Sequence, residues 1–224
     1  MAIRHWPADE RPREKLLIQG ADTLSVAELL AILLRTGTKG KSAIDLAREM
    51  LQQFGGLDRL LSTDLQSFCQ LSGLGKAKYI QLQASLELNR RVLFERLQDQ
   101  NVLKNSEQTK AYLLAKLGHK NRETFACLFL NNQHQILGYA ELFQGSINEA
   151  DIYPREVMKM ALHYNATALI IAHNHPSGGL QPSGSDRTVT LQLKRLLALI
   201  DIQLLDHIII GRGRSLSFVE QGIL

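Results

Sequence analysis

The stretch Thr167-Ala-Leu-Ile-Ile-Ala172-His173-Asn174-His175-Pro176-Ser177-Gly178-Gly179-Leu-Gln-Pro182-Ser183-Gly-Ser-Asp186 decides how this chain is read. Its apolar opening predicts a strand, and two histidines follow at once, two residues apart. Side chains alternate across an extended chain, so His173 and His175 share a side and Asn174 faces away. Pro176, Gly178, Gly179 and Pro182 predict a turn. Ser183-Gly-Ser-Asp186, followed by Thr188 to Leu197, predicts a capped helix start that carries Asp186 back over the imidazoles. Two imidazoles and one carboxylate leave a fourth tetrahedral position open, which separates catalytic zinc sites from closed structural ones. A lone His-x-His is no more than two loop hydrogen-bonders. Here strand, turn and helix agree around the pair, and that agreement makes the metal site specific.

These residues resemble the JAMM motif of the MPN-domain metallohydrolases: His-x-His-Pro, a Ser three residues before an Asp, and a distant upstream Glu. The matching positions are His173, His175, Pro176, Ser183 and Asp186. The chain is more similar still to the bacterial RadC family, through His173-Asn-His-Pro-Ser-Gly178, Pro182-Ser183 with Asp186, and Tyr153-Pro-Arg-Glu156. Arg11-Pro-Arg-Glu-Lys-Leu-Leu17 and Leu24-Ser-Val-Ala-Glu-Leu-Leu-Ala-Ile-Leu-Leu-Arg-Thr-Gly37 extend the likeness over nearly the full length. The resemblance implies an α/β (α+β) chain. An all-helical N-terminal domain, residues 1–100, would precede an MPN/JAMM-type, cytidine-deaminase-like mixed-sheet domain, residues 102–224. It also implies a zinc-dependent metallohydrolase, a peptidase or isopeptidase acting on a protein or peptide substrate with metal-activated water. One Zn2+ per chain would be held by His173, His175 and Asp186.

Zinc brings the pKa of a bound water to near 7, but cleaving an amide still needs a base to collect and return the proton. The resemblance places that Glu ahead of the domain's first strand, where Glu123 stands before Thr124-Phe-Ala-Cys-Leu-Phe-Leu130. Judged from the residues alone, Glu141, Glu149 and Glu156 are equally eligible, and Glu123 could be a solvated strand-end carboxylate. The resemblance gives Ser183 the support of the oxyanion formed on the carbonyl, while a Ser at that point also caps the following helix. Both roles are compatible. Asn174 and Ser177 read as supporting or turn residues. His5, His119, His134 and His163 are isolated on polar or amphipathic stretches, and the neighbours Asp206 and His207 point to opposite faces of a strand, so no rival site emerges. Imidazole with carboxylate suits zinc without excluding another divalent ion.

Helical periodicity dominates the first hundred residues. Ser25-Val-Ala-Glu28 is a capping box before an apolar run that Thr36-Gly37 ends, and a second helix starts at Ser42 and stops at Gly55-Gly56. Short helices are expected over 57–61 and 64–69, then a long one from Lys76 through Leu93. A polar linker around 98–106 follows, and beyond it the pattern alternates. A helix at 107–117 precedes strands at 124–130 and 135–143, with a hairpin turn at Asn131-Asn-Gln-His134. Pro154 suits the first residue of a helix ending near Tyr164. After the metal loop and its helix come strands at 202–210 and 215–219, and the whole predicts a mixed sheet with helices packed on it.

With 45% apolar and 21% charged residues the chain is globular rather than disordered. No apolar run approaches the length of a membrane helix and the opening residues are polar, so the sequence predicts a cytoplasmic protein with no membrane partner. Cys69 and Cys127 sit in apolar stretches and read as buried free thiols, outside any ligand spacing. The net charge of +4 permits contact with nucleic acid without arguing for it.

A second motif, Leu71-Ser-Gly-Leu-Gly-Lys-Ala-Lys-Tyr-Ile80, resembles the hairpin of a helix-hairpin-helix. Gly73 and Gly75 would let the backbone turn tightly and present N–H groups to a DNA phosphate, with Lys76 and Lys78 beside it. Such contacts carry affinity and little sequence information. The other reading is a plain glycine turn between helices. The alternative to the hydrolase is therefore a DNA-associated adaptor, related to repair or recombination, whose metal domain is not catalytic.

Overall fold

The computed structural model describes residues 3, 6–98, 100–145 and 152–224. They form two compact units, residues 1–88 and 89–224. In the first, α1 (Pro12–Gln19) is a helix that periodicity does not announce, because only Pro12 is buried while Leu17 and Ile18 are 82% and 71% exposed. Then come α2 (Val26–Leu34), α3 (Ala43–Phe54), α4 (Leu57–Leu61), α5 (Leu65–Phe68) and α6 (Lys76–Gln98). Capping boxes open α2 and α3: Ser25 with Glu28, and Ser42 with Asp45. The core of the unit gathers Leu30, Leu34, Ile44, Leu46, Met50, Leu60 and Phe68. Cys69 is half-buried rather than buried, since only its neighbour Phe68 is drawn fully into that core.

The second unit takes in the last turns of α6 because Leu93, Phe94 and Leu97 pack into its apolar cluster. It continues with α7 (Ser106–Leu117), β1 (Thr124–Leu130), β2 (Ile136–Gln144), α8 (Pro154–His163), β3 (Ala168–Asn174), α9 (Gly184–Ala198), β4 (Gln203–Ile210) and β5 (Ser215–Ser217). The sheet runs β2-β1-β3-β4-β5; only the β3–β4 pairing is parallel. Every residue of β1 and β3 is buried, as expected of strands covered on both faces. On one face Ala126, Leu128, Leu130, Ala168, Ile170 and Ala172 meet Tyr112, Leu113 and Leu117 of α7. On the other, Phe125, Cys127, Phe129, Leu169 and Ile171 meet Val157 and Ala161 of α8 and Leu193 and Leu197 of α9. The fold is a three-layer α/β/α arrangement on a mixed sheet, preceded by helices. Among the described residues no helix is long and apolar enough to cross a membrane.

Candidate metal centre

Strand β3 extends through Asn174, two residues beyond the expected end, so His173 lies in the sheet and His175 just outside it. The His175 N–H still donates to the Ile210 carbonyl, keeping the chain extended across both imidazoles. Alternation then acts as expected: His173 and His175 share the α8/α9 side, and their Nε2 atoms stand 2.8 Å apart. The turn delivers α9, whose Ser183 and Asp186 form a capping box. That box fixes Asp186. Its Oδ2 accepts from the Ser183 N–H at 2.7 Å, and its Oδ1 lies 3.2 Å from His173 Nε2, with Oδ2 at 3.7 Å from His175 Nε2. One donor atom from each of the three residues lies within 4.8 Å of the others, and theirs is the one such His/Cys/Asp/Glu group among the described residues.

The set suits a cation. His175 Nδ1 stands 3.0 Å from the Gly179 carbonyl, which can only accept, so the ring proton is on Nδ1 and the Nε2 lone pair is free for a metal. Its neighbour, His173 Nε2, is 2.8 Å away with the Asp186 carboxylate beside both, a cluster of electron-rich donor atoms that a cation would draw together. Neutral imidazoles plus a carboxylate are zinc's ordinary donors. Burial pushes His173 down to about 4, keeping it neutral. For Asp186 burial works upward, but the His175 hydrogen bond, His173 and Ser183 outweigh it and hold the carboxyl well below the usual range. His175 is raised: once its Nε2 is also protonated, that N–H donates to Asp186, and the Gly179 carbonyl and the charges of Asp186 and Glu123 favour the cation as well, against the effect of burial.

The candidate base comes from the neighbouring strand. Glu123 precedes β1, whose antiparallel pairing sets Phe125 against His173, so continuing the register carries Glu123 toward His175. Glu123 is half-buried. The Glu141 carboxylate bonds Lys120 and Tyr139, and that of Glu156 pairs with Arg155 and Lys159. Glu149 and His5 lie outside the described residues. Asn174 is a fully buried clamp: its Oδ1 accepts from the Thr124 N–H at 2.8 Å, and its Nδ2 donates to the Lys120 and Arg122 carbonyls. It thereby holds the backbone on either side of Glu123. Ser183 is exposed and uses an oxygen lone pair to cap the Asp186 N–H at 3.0 Å, which leaves its hydroxyl proton for another acceptor.

Two supporting residues escape a reading of the sequence. His207 is completely buried; its Nε2 lies 2.7 Å from His173 Nδ1 and its Nδ1 2.6 Å from Thr190 Oγ1. Thr190 Oγ1 in turn donates to the Asp186 carbonyl at 2.5 Å. Asp206 points the other way, to Ser217 and Val219, as alternation requires. Thr190 left one trace: it falls on the buried stripe Asp186, Thr190, Leu193, Leu197 of α9, where a polar residue needs a partner. The other described histidines stay apart. His119 bonds Arg90, and burial with that cation brings it to about 4, while His134 sits in the β1–β2 turn at φ 58°.

Residues 103–223 match the family described as RadC-like JAB domain, and residues 3–80 match the UPF0758 N-terminal family. The chain belongs to the RadC family. It is 55% identical to a UPF0758 protein of Nitrosococcus oceani and 54% identical to UPF0758 proteins of Marinomonas sp. and Azotobacter vinelandii, over the whole of each chain. The RadC-like JAB domain thus contains all three candidate ligands, Glu123 and Ser183.

The hairpin candidates lie in the UPF0758 N-terminal region. Gly73 has φ +89° and approaches Thr38 so closely that a Cβ there would stand 1.9 Å from the Thr38 methyl. Gly75 has open space around it, and Lys76 is the exposed first residue of α6. Lys78 donates to the Gly73 carbonyl at 2.9 Å, so it closes its own turn, and burial lowers its pKa.

Proposed function

We propose that this RadC-family chain is a zinc-dependent hydrolase of amide bonds, a peptidase or isopeptidase. The convergence of His173 Nε2, His175 Nε2 and the Asp186 carboxylate, with the β1–β3 register carrying Glu123 toward them, carries the proposal. A zinc ion held there supplies a Lewis acid for the scissile carbonyl and makes water a nucleophile near neutral pH. Glu123 takes the proton from the attacking water and returns it to the leaving amine, which departs only as the protonated species. The Ser183 hydroxyl donates to the oxygen as it gains charge, a contact stronger in the transition state than in the ground state. Asp186 and His175 keep to ligation, because their remaining bonds are spent on Ser183 and Gly179. The test is turnover of peptide and isopeptide substrates by zinc-loaded protein beside the Glu123→Gln variant. Cleavage abolished in the variant supports the proposal; a zinc-loaded wild type no faster than the variant on every amide tried ends it.

A second reading attaches to the hairpin, whose exposed Lys76 opens α6 beside the left-handed Gly73. In it the chain contacts DNA phosphates and acts as an adaptor. Binding of duplex DNA by the full chain that weakens steeply between 50 and 200 mM salt is the expected signature, on the order of a tenfold loss or more for a few phosphate contacts. No binding at low salt removes this reading.

A further inference from the structure

We infer that Thr190 and His207 are positioning residues that set the tautomer of the ligand His173, through a one-way chain of hydrogen bonds that begins at the backbone carbonyl of the other ligand, Asp186. The inference rests on the metal site proposed above and extends it to residues outside the ligand set.

The polarity follows from the far end of the chain. A carbonyl can only accept, so the single proton of the Thr190 hydroxyl is committed to the Asp186 carbonyl at 2.5 Å. Thr190 Oγ1 therefore meets His207 Nδ1, 2.6 Å away, as an acceptor, and the His207 ring proton must be on Nδ1. The ring of His207 is wholly buried, edge-on to Phe125 and tilted against Phe218, surroundings in which a neutral imidazole is the form that survives. A neutral ring protonated on Nδ1 has a bare Nε2. That lone pair faces His173 Nδ1 at 2.7 Å, so His173 must donate from Nδ1. Its Nε2 is then bare and aimed at His175 and Asp186. With the reverse polarity Thr190 would spend its proton on His207, leaving two oxygens 2.5 Å apart with none between them.

The chain starts and ends on the site. It ties the first turns of α9, through β4, to the ligand on β3, so that the backbone holding Asp186 also dictates which nitrogen of His173 can bind metal. A Thr hydroxyl bonding four residues back in a helix is by itself common. What distinguishes Thr190 is that the same oxygen has a second, buried partner that leads to the site. Partners of this kind are worth about 10- to 100-fold in metal affinity.

Co2+ is a suitable probe, because its visible absorption reports ligand geometry whether or not the protein turns over any substrate. Its dissociation constant and spectrum would be compared in the wild type, Thr190→Val, which keeps the shape without the hydroxyl, and Thr190→Ser, which restores it. Expected are about 10- to 100-fold weaker Co2+ binding and an altered spectrum in Thr190→Val, with recovery in Thr190→Ser. Long-range 1H–15N NMR of the wild-type rings needs no variant and is expected to show His207 protonated on Nδ1. Protonation of His207 on Nε2, or a Thr190→Val variant identical to the wild type in affinity and spectrum, overturns the inference and leaves the metal site standing. A wild type that takes up no Co2+ at all instead overturns the metal site, and the inference with it.

Discussion

The metal loop and the hairpin at 71–78 are both turns that deliver a helix, and they are held in opposite ways. In the metal loop the side chains are committed: His175 to Gly179, Ser183 and Asp186 to each other, His173 to His207. These bonds leave specific donor atoms bare and pointing at one place. In the hairpin it is the backbone that is specified, through the left-handed Gly73 pressed on Thr38, and one of the two lysines is spent on closing the turn. The first region defines a chemical site, while the second defines a chain path with an exposed helix start. Chemistry is therefore expected to be sensitive to single atoms at one turn, and to steric bulk at the other.

Replacing both imidazoles, as His173→Ala/His175→Ala, is the strongest way to break the contrast. About one zinc per chain in protein purified without chelator is expected to fall to none by elemental analysis. Glu123→Gln is the sharper cut, since it should retain zinc while amide turnover falls by about 10²- to 10⁴-fold. Loss of zinc in that variant would move Glu123 from base to ligand.

At the hairpin, Gly73→Ala forces a Cβ to φ +89° and into Thr38, and overpacking of this kind costs about 1–3 kcal/mol. Urea unfolding should show that loss with zinc content unchanged; an unaltered midpoint would mean the turn is softer than its packing suggests.

Acid acts on the buried rings. Burial pushes His119 and His173 down to about 4 and His207 well below its ordinary value. Below pH 6.5 the unfolded chain takes up protons that these three refuse when folded, so their contribution to stability falls as pH drops from 6.5 toward 4. His175 works the other way. Raised by Asp186, it adds stability below pH 6.5 that is lost as pH climbs through its folded value. Asp206, raised by burial, acts in the same direction as His175; with three buried rings against these two groups, the metal-free protein should unfold at lower urea at pH 5 than at pH 7, and the reverse order would contradict the neutral, buried state of these rings. The smallest effect belongs to Lys76→Ala: if the hairpin binds DNA, the slope of log affinity against log salt should shrink by about 1.

Much of this was legible in the chain because the interactions concerned are local. The capping boxes at Ser25, Ser42 and Ser183 each span four residues, and a strand, a turn and a capped helix suffice to bring His173, His175 and Asp186 together. Helix α1 was not legible, because it buries almost nothing and so carries no periodic stripe. Nor could Glu123 be preferred over Glu141 by residues alone. What favours Glu123 as the candidate is β1 lying against β3, where Asn174 grips the segment around it, and that pairing joins strands far apart in the chain.

His207 marks the boundary most clearly. The sequence alone determined the convergence of the three candidate ligands, the cap on α9 and the opposed faces of Asp206 and His207, all of which follow from periods of two and of 3.6 residues. Which of that last pair would face the site was decided only by tertiary structure. The β3–β4 ladder shifts register between Leu169 and Ile170, so Leu169 pairs with Leu204 but Ile170 with Asp206. That one-residue bulge puts His207, and not Asp206, level with Ile171 on the face toward α9. Register between strands separated by a whole helix is a property of their packing, and a one-residue slip exchanges every inward side chain for its neighbour.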